Sequence, residues 1–350
     1  MARTFVNALG SLAAVGVATA ASAYMHARSY TLRQRNLVLA APEDEDTTGG
    51  QNFEDAEVVE VAEELPNSIR ILHLSDLHMI PANRKLAKFV RELAELKPDF
   101  VVMTGDLVAN AAAVPEVLDA LSGFAGVPGV FVNGSNDYTA ARLKNPLRYL
   151  VRTSAGDEPL SEERKAKLAI PTDELEAGLT DLGFVNLNNA RATVRVGEFE
   201  LQLVGVDDPH MDRDEYPELA TSDKDGKSGA GNKSGAGETL RIGVTHAPYQ
   251  RILDRMTAEG CRLVFAGHTH GGQVCLPGRK ALVTNCDMPP RLASGLFTWP
   301  DEGVEPVKGD GSMWTRRVAV QTSAGLGTTP YIPLRTFCAP EAILLTVAKA

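Results

Sequence analysis

The sequence contains IRILHLSDLH at residues 69–78, and this stretch decides the fold. Its short apolar run has the length of a buried strand and ends abruptly in Asp76 and His78. Apolar residues at 86, 89, 90 and 93 then recur at helical spacing, and Pro98 follows them. A strand followed by an amphipathic helix predicts α/β architecture.

The same alternation continues along the chain. Further strands are predicted at 100–104, 130–132, 191–196, 199–206, 241–245, 263–266, 316–322 and 342–347. Further helices are predicted at 115–121, 173–182 and 250–259. Residues 222–238 are rich in Gly, Ser and Lys and predict a surface loop.

Five of the predicted strands end in side chains that bind metal ions. The segments are Asp76-Leu77-His78, Gly105-Asp106, Gly134-Ser135-Asn136-Asp137, His246 and Gly267-His268-Thr269-His270. Ligands of open α/β sheets bind beyond the carboxyl ends of the strands, so we expect the five segments to converge there. An ordinary turn or core packing explains any one segment alone, but the five in this order favour a site.

The residue types indicate which ligand this site binds. Four of the seven histidines fall in these segments, together with carboxylates. Imidazole mixed with carboxylate suits manganese, iron or zinc and disfavours calcium. The ligands are too many for one catalytic ion, so we expect two divalent ions that share a carboxylate.

Together the segments resemble the calcineurin-like metallophosphoesterases, whose pattern is D-x-H, G-D, G-N-H-D/E, H and G-H-x-H. The resemblance spans residues 69 to about 347. Gly271-Gly272-Gln273, residues 325–328 and Pro340-Glu341 are similar to the bacterial branch that often has an N-terminal membrane segment. The resemblance implies an α/β fold of four layers, a two-sheet β-sandwich flanked by helices.

The resemblance also implies a ligand set and a reaction. Asp76, His78 and His270 would hold the first ion, Asp106 would bridge both ions, and His246 and His268 would hold the second. The implied reaction is hydrolysis of a small-molecule or lipid phosphoester, expected to be a phosphodiester, by a hydroxide that bridges the ions.

The third segment departs from the family pattern. Ser135 and Asn136 stand where the family has an asparagine ligand and a histidine that assists the leaving group. Asn136 is our preferred ligand because an amide oxygen binds a divalent ion better than the neutral hydroxyl of Ser135. Asp137 or water remains a further alternative. Asp106 and Asn136 are the predicted catalytic residues.

The missing histidine leaves a second hypothesis open. The chain would then be a catalytically weak, metal-binding scaffold of the same fold, tethered to a membrane. A third possibility, a metal-dependent amidohydrolase, usually rests on a different ligand order.

The N-terminus and the overall charge bear on partners and location. Residues 5–25 contain no charge and predict a retained membrane anchor, with a cleaved signal peptide or neither as alternatives. Arg28, Arg33 and Arg35 follow the run and favour the cytoplasmic side. The net charge of -10 argues against a nucleic-acid partner.

We therefore expect three parts of the chain. Residues 1–27 are the anchor or signal, 28–68 an edge strand and an acidic disordered linker, and 69–350 the metallophosphoesterase domain. Three further residues stay open. His73 is expected in the core or supporting a ligand rather than binding a metal itself. His210 either lines the cleft or lies in an ordinary loop, and Arg335 either contacts phosphate or serves the structure.

Overall fold

The computed structural model describes residues 16–39, 65, 67–140, 162–218, 238–301, 317–328 and 332–349. The strands are β1 (Thr31–Leu39), β2 (Ser68–Leu74), β3 (Phe100–Met103), β4 (Gly129–Phe131), β5 (Phe184–Asn186), β6 (Ala190–Val196), β7 (Phe199–Gly205), β8 (Glu238–Val244), β9 (Leu263–Ala266), β10 (Cys275–Leu276), β11 (Lys280–Ala281), β12 (Gly295–Trp299), β13 (Val318–Thr322) and β14 (Glu341–Lys349). The α-helices are α1 (residues 16–26), α2 (Arg84–Leu93), α3 (Val114–Leu121), α4 (Ser135–Tyr138), α5 (Glu162–Leu168), α6 (Thr172–Asp181) and α7 (Gln250–Ala258).

The strands form two six-stranded sheets. The first sheet has the order β1-β14-β2-β3-β4-β5, and the second has the order β12-β13-β9-β8-β7-β6. Within the first sheet, β2 to β5 are parallel to one another. Within the second sheet, β7, β8, β9 and β13 are parallel. Each sheet therefore presents several carboxyl strand ends along one edge.

Alternating side chains pack the two sheets together. Ile71 of β2 and Phe100 of β3 face the second sheet, where they meet Ile242 and Phe265 in one buried core. The intervening residues, such as Leu72, face the other way and pack under α2, α3 and α6. A separate buried cluster packs α7 on the outer face of the second sheet. This arrangement has four layers, helices–sheet–sheet–helices, and confirms the predicted fold class.

Most predicted elements lie within two residues of their observed bounds, with three kinds of exception. Strand β8 begins three residues before its prediction. The strands β5, β10, β11 and β12 and the helices α4 and α5 were not predicted. The acidic linker at 40–64 and the loop predicted at 222–238, apart from Glu238, lie outside the described residues.

The N-terminal helix packs on the domain through its last turns. Ala23 and Ala27 are buried, and the Ala23 carbonyl accepts a hydrogen bond of 3.1 Å from the Arg335 backbone N–H. Strand β1 follows and pairs in parallel with β14 at the edge of the first sheet. Among the described residues, no helix has the length and apolar character needed to cross a bilayer. Residues 5–15 of the uncharged run lie outside the described residues.

Candidate metal centre

The predicted ligands lie where strands of both sheets end. Asp76 and Asp106 follow β2 and β3 of the first sheet, and His246 and His268 follow β8 and β9 of the second. The backbones of five predicted ligands have positive φ, between 39° and 67°: Asp76, His78, Asp106, His268 and His270. Non-glycine residues in this region are strained by roughly 1–3 kcal/mol each, so such clustering is typical of a functional site.

Gly134 allows the third segment to approach the ligands. A Cβ atom added to Gly134 would overlap the Asp106 carboxylate and the His246 ring. Glycine is therefore required at this position by close packing of backbone against the site.

The first group of converging ligand atoms, here called the first cluster, comprises Asp76, His78 and His270. The Nε2 atoms of His78 and His270 lie 3.1 Å apart, and their rings stack with centroids 5.0 Å apart. His270 Nε2 also lies 3.5 Å from Asp76 Oδ1. These are the three residues expected to hold the first ion.

The second cluster comprises Asp76, Asp106 and His246. The Asp106 carboxylate lies between the two clusters: its Oδ2 is 3.5 Å from His78 Nε2 and its Oδ1 is 3.7 Å from His246 Nε2. His268 adjoins this cluster, with its Nδ1 3.2 Å from His246 Nε2. The structure thus brings all six predicted aspartate and histidine ligands together.

Backbone carbonyls fix which imidazole nitrogens face the site. His246 Nδ1 donates to the Thr104 carbonyl at 2.6 Å, and His268 Nε2 donates to the Asn285 carbonyl at 3.2 Å. A carbonyl only accepts, so in each neutral ring the nitrogen facing the site carries the lone pair. Two lone pairs 3.2 Å apart repel unless a positive charge lies beside them, which fits a cation here.

A buried carboxylate oxygen gives a second test of this fit. Asp76 Oδ2 accepts hydrogen bonds from the His268 backbone N–H at 3.0 Å and from Ser75 Oγ. Asp76 Oδ1 is buried and has no hydrogen-bond partner among the described residues. An unpaired buried carboxylate oxygen is unfavourable, and a divalent ion would satisfy it.

The pKa values also indicate that the site favours positive charge. Burial lowers the pKa of His246, but Asp106 and Asp208 outweigh this effect and raise it to about 9. Burial, reinforced by neighbouring His210 and His246, lowers the pKa of His268 well below its usual range. A negative pocket that holds one positive charge beside a neutral imidazole suits a metal ion.

The pKa values of Asp106 and Asp76 shift in opposite directions although both residues are buried. Burial raises the pKa of Asp76, and the charge of Asp106 adds to the rise. Burial acts in the same direction on Asp106, but His246 and His78 outweigh it and lower the Asp106 pKa. Asp106 therefore stays ionised between the clusters.

The third segment lies against Asp106. Asn136 donates twice to this carboxylate, from its backbone N–H to Oδ1 and from Nδ2 to Oδ2, both at 2.7 Å. The reverse amide orientation would place its carbonyl oxygen against Oδ2, so Asn136 Oδ1 points away from Asp106. Ser135 is half-buried beside Asn136, 3.3 Å from its Nδ2.

Asp137 holds the third segment to the β3 loop. Its Oδ2 accepts from the Gly134 N–H at 2.9 Å, and its Oδ1 accepts from the Leu107 N–H at 2.8 Å and the Val108 N–H at 3.3 Å. Both oxygens of this buried carboxylate are thus committed to backbone groups. This arrangement disfavours Asp137 as a metal ligand.

His73 supports a ligand from within the core. It is fully buried, and burial lowers its pKa to about 3. Its Nε2 lies 2.9 Å from Thr104 Oγ1, which donates to Ser75 Oγ at 2.7 Å, and Ser75 donates to Asp76. Of the two roles left open by the sequence, His73 therefore combines both.

Arg335 is fully buried and serves the structure behind His270. Its guanidinium donates to the carbonyls of Ala324 and Gly327, both at 2.7 Å, and of His270 at 3.2 Å. Its charge also helps burial and His78 to lower the pKa of His270. No open face remains for the phosphate contact considered from the sequence.

The sequence argument missed residues that orient the ligands from loops and backbone groups. Thr104 and Asn285 act through their carbonyls, which no side-chain pattern reveals. The sequence does not decide the role of His210, but its ring centroid lies 4.3 Å from that of His268. The available signal was its position in Asp207-Asp208-Pro209-His210 just after β7, the same layout as the five ligand segments.

Known proteins resemble this chain in the same region. The sequence model of the calcineurin-like phosphoesterase family matches residues 69–272. UDP-2,3-diacylglucosamine pyrophosphatase of Chlamydia trachomatis is 27% identical over 67% of this chain and 75% of its own length. The uncharacterized protein YpbG of Bacillus subtilis is 27% identical, covering 59% of this chain and 62% of its own length.

Another named protein and one solved structure also match part of this chain. A bovine protein named transmembrane protein with metallophosphoesterase domain is 25% identical, and the match covers 41% of it. The solved structure of phosphopantetheinyl hydrolase from Mycobacterium tuberculosis is 12% identical, with a TM-score of 0.33, covering 58% of this chain and 84% of that one.

The two-sheet fold and the aspartate–histidine clusters at its strand ends define a hydrolase that acts on phosphoester bonds. The family match extends from β2, through all six predicted ligands, to Gly272. The chain belongs to the calcineurin-like phosphoesterase family.

Proposed function

We propose that this protein is a phosphodiesterase that depends on two divalent metal ions, with manganese, iron or zinc as the fitting metals. The observation that carries the proposal is the position of Asp106. Its two carboxylate oxygens face different clusters, at 3.5 Å from His78 Nε2 and 3.7 Å from His246 Nε2. A carboxylate so placed is suited to be shared by two ions.

The proposed ligands divide between the two ions. Asp76, His78 and His270 would hold the first ion, His246, His268 and Asn136 would hold the second, and Asp106 would contribute to both. When bound, such ions lower the pKa of water to give a nucleophile near neutral pH and neutralise phosphoryl oxygens. The protein residues orient the ligand atoms, and His246 and His78 keep the Asp106 carboxylate ionised.

The assignment of Asn136 rests on elimination and on its contacts. Asp137 uses both oxygens on backbone N–H groups. The neutral hydroxyl of Ser135 is a weak ligand, whereas the Asn136 amide faces Asp106 with Nδ2 and leaves Oδ1 as an acceptor. Asn136 therefore both supports the shared carboxylate and supplies an oxygen for the second ion.

The substrate class follows from the same residue. Asn136 cannot transfer a proton at neutral pH, so substrates with stable leaving groups are favoured. Aryl phosphodiesters and pyrophosphate-linked diesters have such leaving groups, and the Chlamydia relative is named as a pyrophosphatase of a diacylated sugar nucleotide. We therefore place small-molecule or lipid phosphodiesters ahead of alkyl monoesters.

The proposed location is a membrane surface, reached through residues 1–27. Support comes from the uncharged run at 5–25 and from the relatives named as transmembrane proteins. The exposed apolar side chains Val274, Leu276 and Phe337 lie near α1 and the His270 loop. In this proposal residues 28–68 connect the membrane segment to the catalytic domain at 69–350, with β1 joining its sheet.

Metal removal and restoration test this function. The purified full-length chain should lose turnover of bis(p-nitrophenyl) phosphate after chelation and regain it with Mn²⁺. Its kcat/KM for that diester should exceed its kcat/KM for glycerol phosphate. Metal-independent turnover would contradict the proposed centre, and a higher efficiency on the monoester would contradict the substrate class.

The second candidate is a weakly catalytic, membrane-tethered scaffold. The observation favouring it is the third segment, where Ser135 and Asn136 replace the family's asparagine and histidine. A scaffold would bind Mn²⁺ with full occupancy yet hydrolyse no diester in the same assay. Metal-dependent turnover excludes it.

A further inference from the structure

A short 3₁₀ turn brings His210, the fifth histidine of the whole site, beside the second cluster. The turn Pro209–Met211 follows β7, and His210 in its centre packs against His268, with ring centroids 4.3 Å apart. His268 is buried, whereas His210 is only half-buried. His210 therefore lies at the rim, between a proposed ligand of the second ion and solvent.

Two neighbours fix the position of His210. The Asp208 carboxylate accepts a hydrogen bond from the His210 backbone N–H at 2.8 Å. On the other side, His210 Nδ1 lies 3.1 Å from the hydroxyl of Tyr249, the residue just before α7. The ring is thus held between the end of β7 and the start of α7, elements that also flank His246.

The third segment leaves a chemical role unfilled. Asn136, which stands in place of a histidine, directs its Nδ2 at Asp106. Its amide N–H therefore supports the shared carboxylate and is not directed at a departing group. A donor for the leaving oxygen must come from another rim residue.

We propose that His210 donates a hydrogen bond from Nε2 to the leaving oxygen of the substrate. This role rests on the proposed phosphodiesterase function and refines it. In the proposed role the Tyr249 hydroxyl, 3.1 Å from Nδ1, is the donor of this hydrogen bond, and the imidazole carries its proton on Nε2. The role needs no change in the protonation of His210.

The reaction is hydrolysis of a phosphodiester by water. The oxygen of water forms a bond to phosphorus and gives up a proton to solvent. The bond from phosphorus to the leaving oxygen breaks, and that oxygen keeps the electron pair. His210 stabilises the developing negative charge by its hydrogen bond, and the leaving oxygen then takes a proton from solvent.

A series of aryl phosphodiesters with leaving phenols of increasing pKa tests the proposal. With Mn²⁺ bound, His210→Ala should lose about 10²-fold in kcat/KM on the poorest leaving group and under about 3-fold on the best, the range for losing one oriented donor. The loss should fall on kcat. His210→Gln, which keeps an N–H donor, should recover most of the rate.

Two further variants separate this role from a structural one. Tyr249→Phe should show the same leaving-group dependence with a smaller loss, because it releases the tautomer without removing the ring. Met211→Ala, at the exposed next position of the turn, should match the wild type. Metal content should stay unchanged in all four variants.

The outcomes are distinguishable from failure of the proposed function. Equal losses across the series, wild-type rates in His210→Ala, or loss of metal in that variant would each overturn the role of His210. In those cases metal-dependent turnover by the wild type would still support the phosphodiesterase. Absence of that turnover in the wild type would overturn both.

Discussion

The first and second clusters share Asp76 but are built differently. The first cluster matches the family pattern at each residue, and the buried guanidinium of Arg335 holds its His270 loop by donating to carbonyls. The second cluster depends on the third segment, where two residues depart from the pattern and the buried carboxylate of Asp137 accepts from backbone N–H groups. The proposed ligands of the first cluster are therefore specified by the local sequence. Those of the second cluster depend also on neighbouring loops.

This difference indicates where the family's chemistry is free to change. Ligands on the β2 and β9 loops are strained at positive φ and fixed by packing, so their replacement has no nearby substitute. The third segment has half-exposed side chains, and residues from other strand ends lie close to it. The proposed function implies that substitutions there change the substrate preference without loss of either ion.

The largest effect should come from the residue that joins the two clusters. Asp106→Asn keeps the size of the side chain but removes the negative charge between His78 and His246. We expect kcat for a diester to fall by at least about 10²- to 10³-fold. Steady-state kinetics with saturating Mn²⁺ measures this. Asp119→Asn, an exposed partner of Arg91, is the matched control and should retain full activity.

The third segment should distinguish the two ions. Asn136→Ala removes the proposed oxygen ligand, and the affinity for the second ion should fall by about 10- to 100-fold while the first ion stays bound. Ser135→Ala should keep nearly all of the second-ion affinity. Calorimetric Mn²⁺ titration of both variants decides this, and two full sites in Asn136→Ala would show that the ligand assignment is wrong.

Loss of the Asp137 carboxylate should weaken the second cluster indirectly, because Asp137 holds the third segment to the loop after β3. Asp137→Asn replaces one acceptor oxygen with an amide NH2 group, which cannot accept a hydrogen bond. At least one buried backbone N–H therefore loses its partner. The free energy of unfolding should drop by about 1–3 kcal/mol. Urea unfolding of the metal-free chain measures the drop. The affinity for the second ion should weaken more than the affinity for the first ion. The reverse order would contradict the view that Asp137 supports the second cluster.

The matching change behind the first cluster should have a similar or smaller effect. Arg335→Lys keeps the charge but cannot reach the carbonyls of His270, Ala324 and Gly327 together, which should lower the free energy of unfolding by about 1–3 kcal/mol. In this variant the first-ion affinity should weaken more than the second. Arg195→Lys, at an exposed ion pair, should leave both unchanged.

The sequence predicted the fold class and the aspartate and histidine side chains that converge in the structure, and their role as ligands stays a prediction. Short continuous apolar runs predict strands such as β2 and β9, because most of their residues are buried on both faces of the sheet. Strand β5 has only three residues, one of them exposed, so periodicity had little signal there. The ligands were predictable because each directly follows a strand, and parallel strands place their ends together.

Contacts between distant loops were not predictable in the same way. The carbonyls of Thr104 and Asn285 orient His246 and His268, but a carbonyl belongs to every residue and leaves no pattern in the sequence. The burial of Arg335 depends on the His270 loop and residues 324–327 meeting around its guanidinium. His210 had a positional signal after β7, but only the packing of its ring on His268 assigns it to the site.

Counting the ions in purified protein tests the central claim most directly. Metal analysis of the wild type loaded with Mn²⁺, together with electron paramagnetic resonance, reports both the number of ions and whether they are coupled. We predict two ions per chain, magnetically coupled, with the coupling lost in Asp106→Asn. One ion per chain in the wild type, or normal activity and metal content in Asp106→Asn, would contradict the two-ion centre.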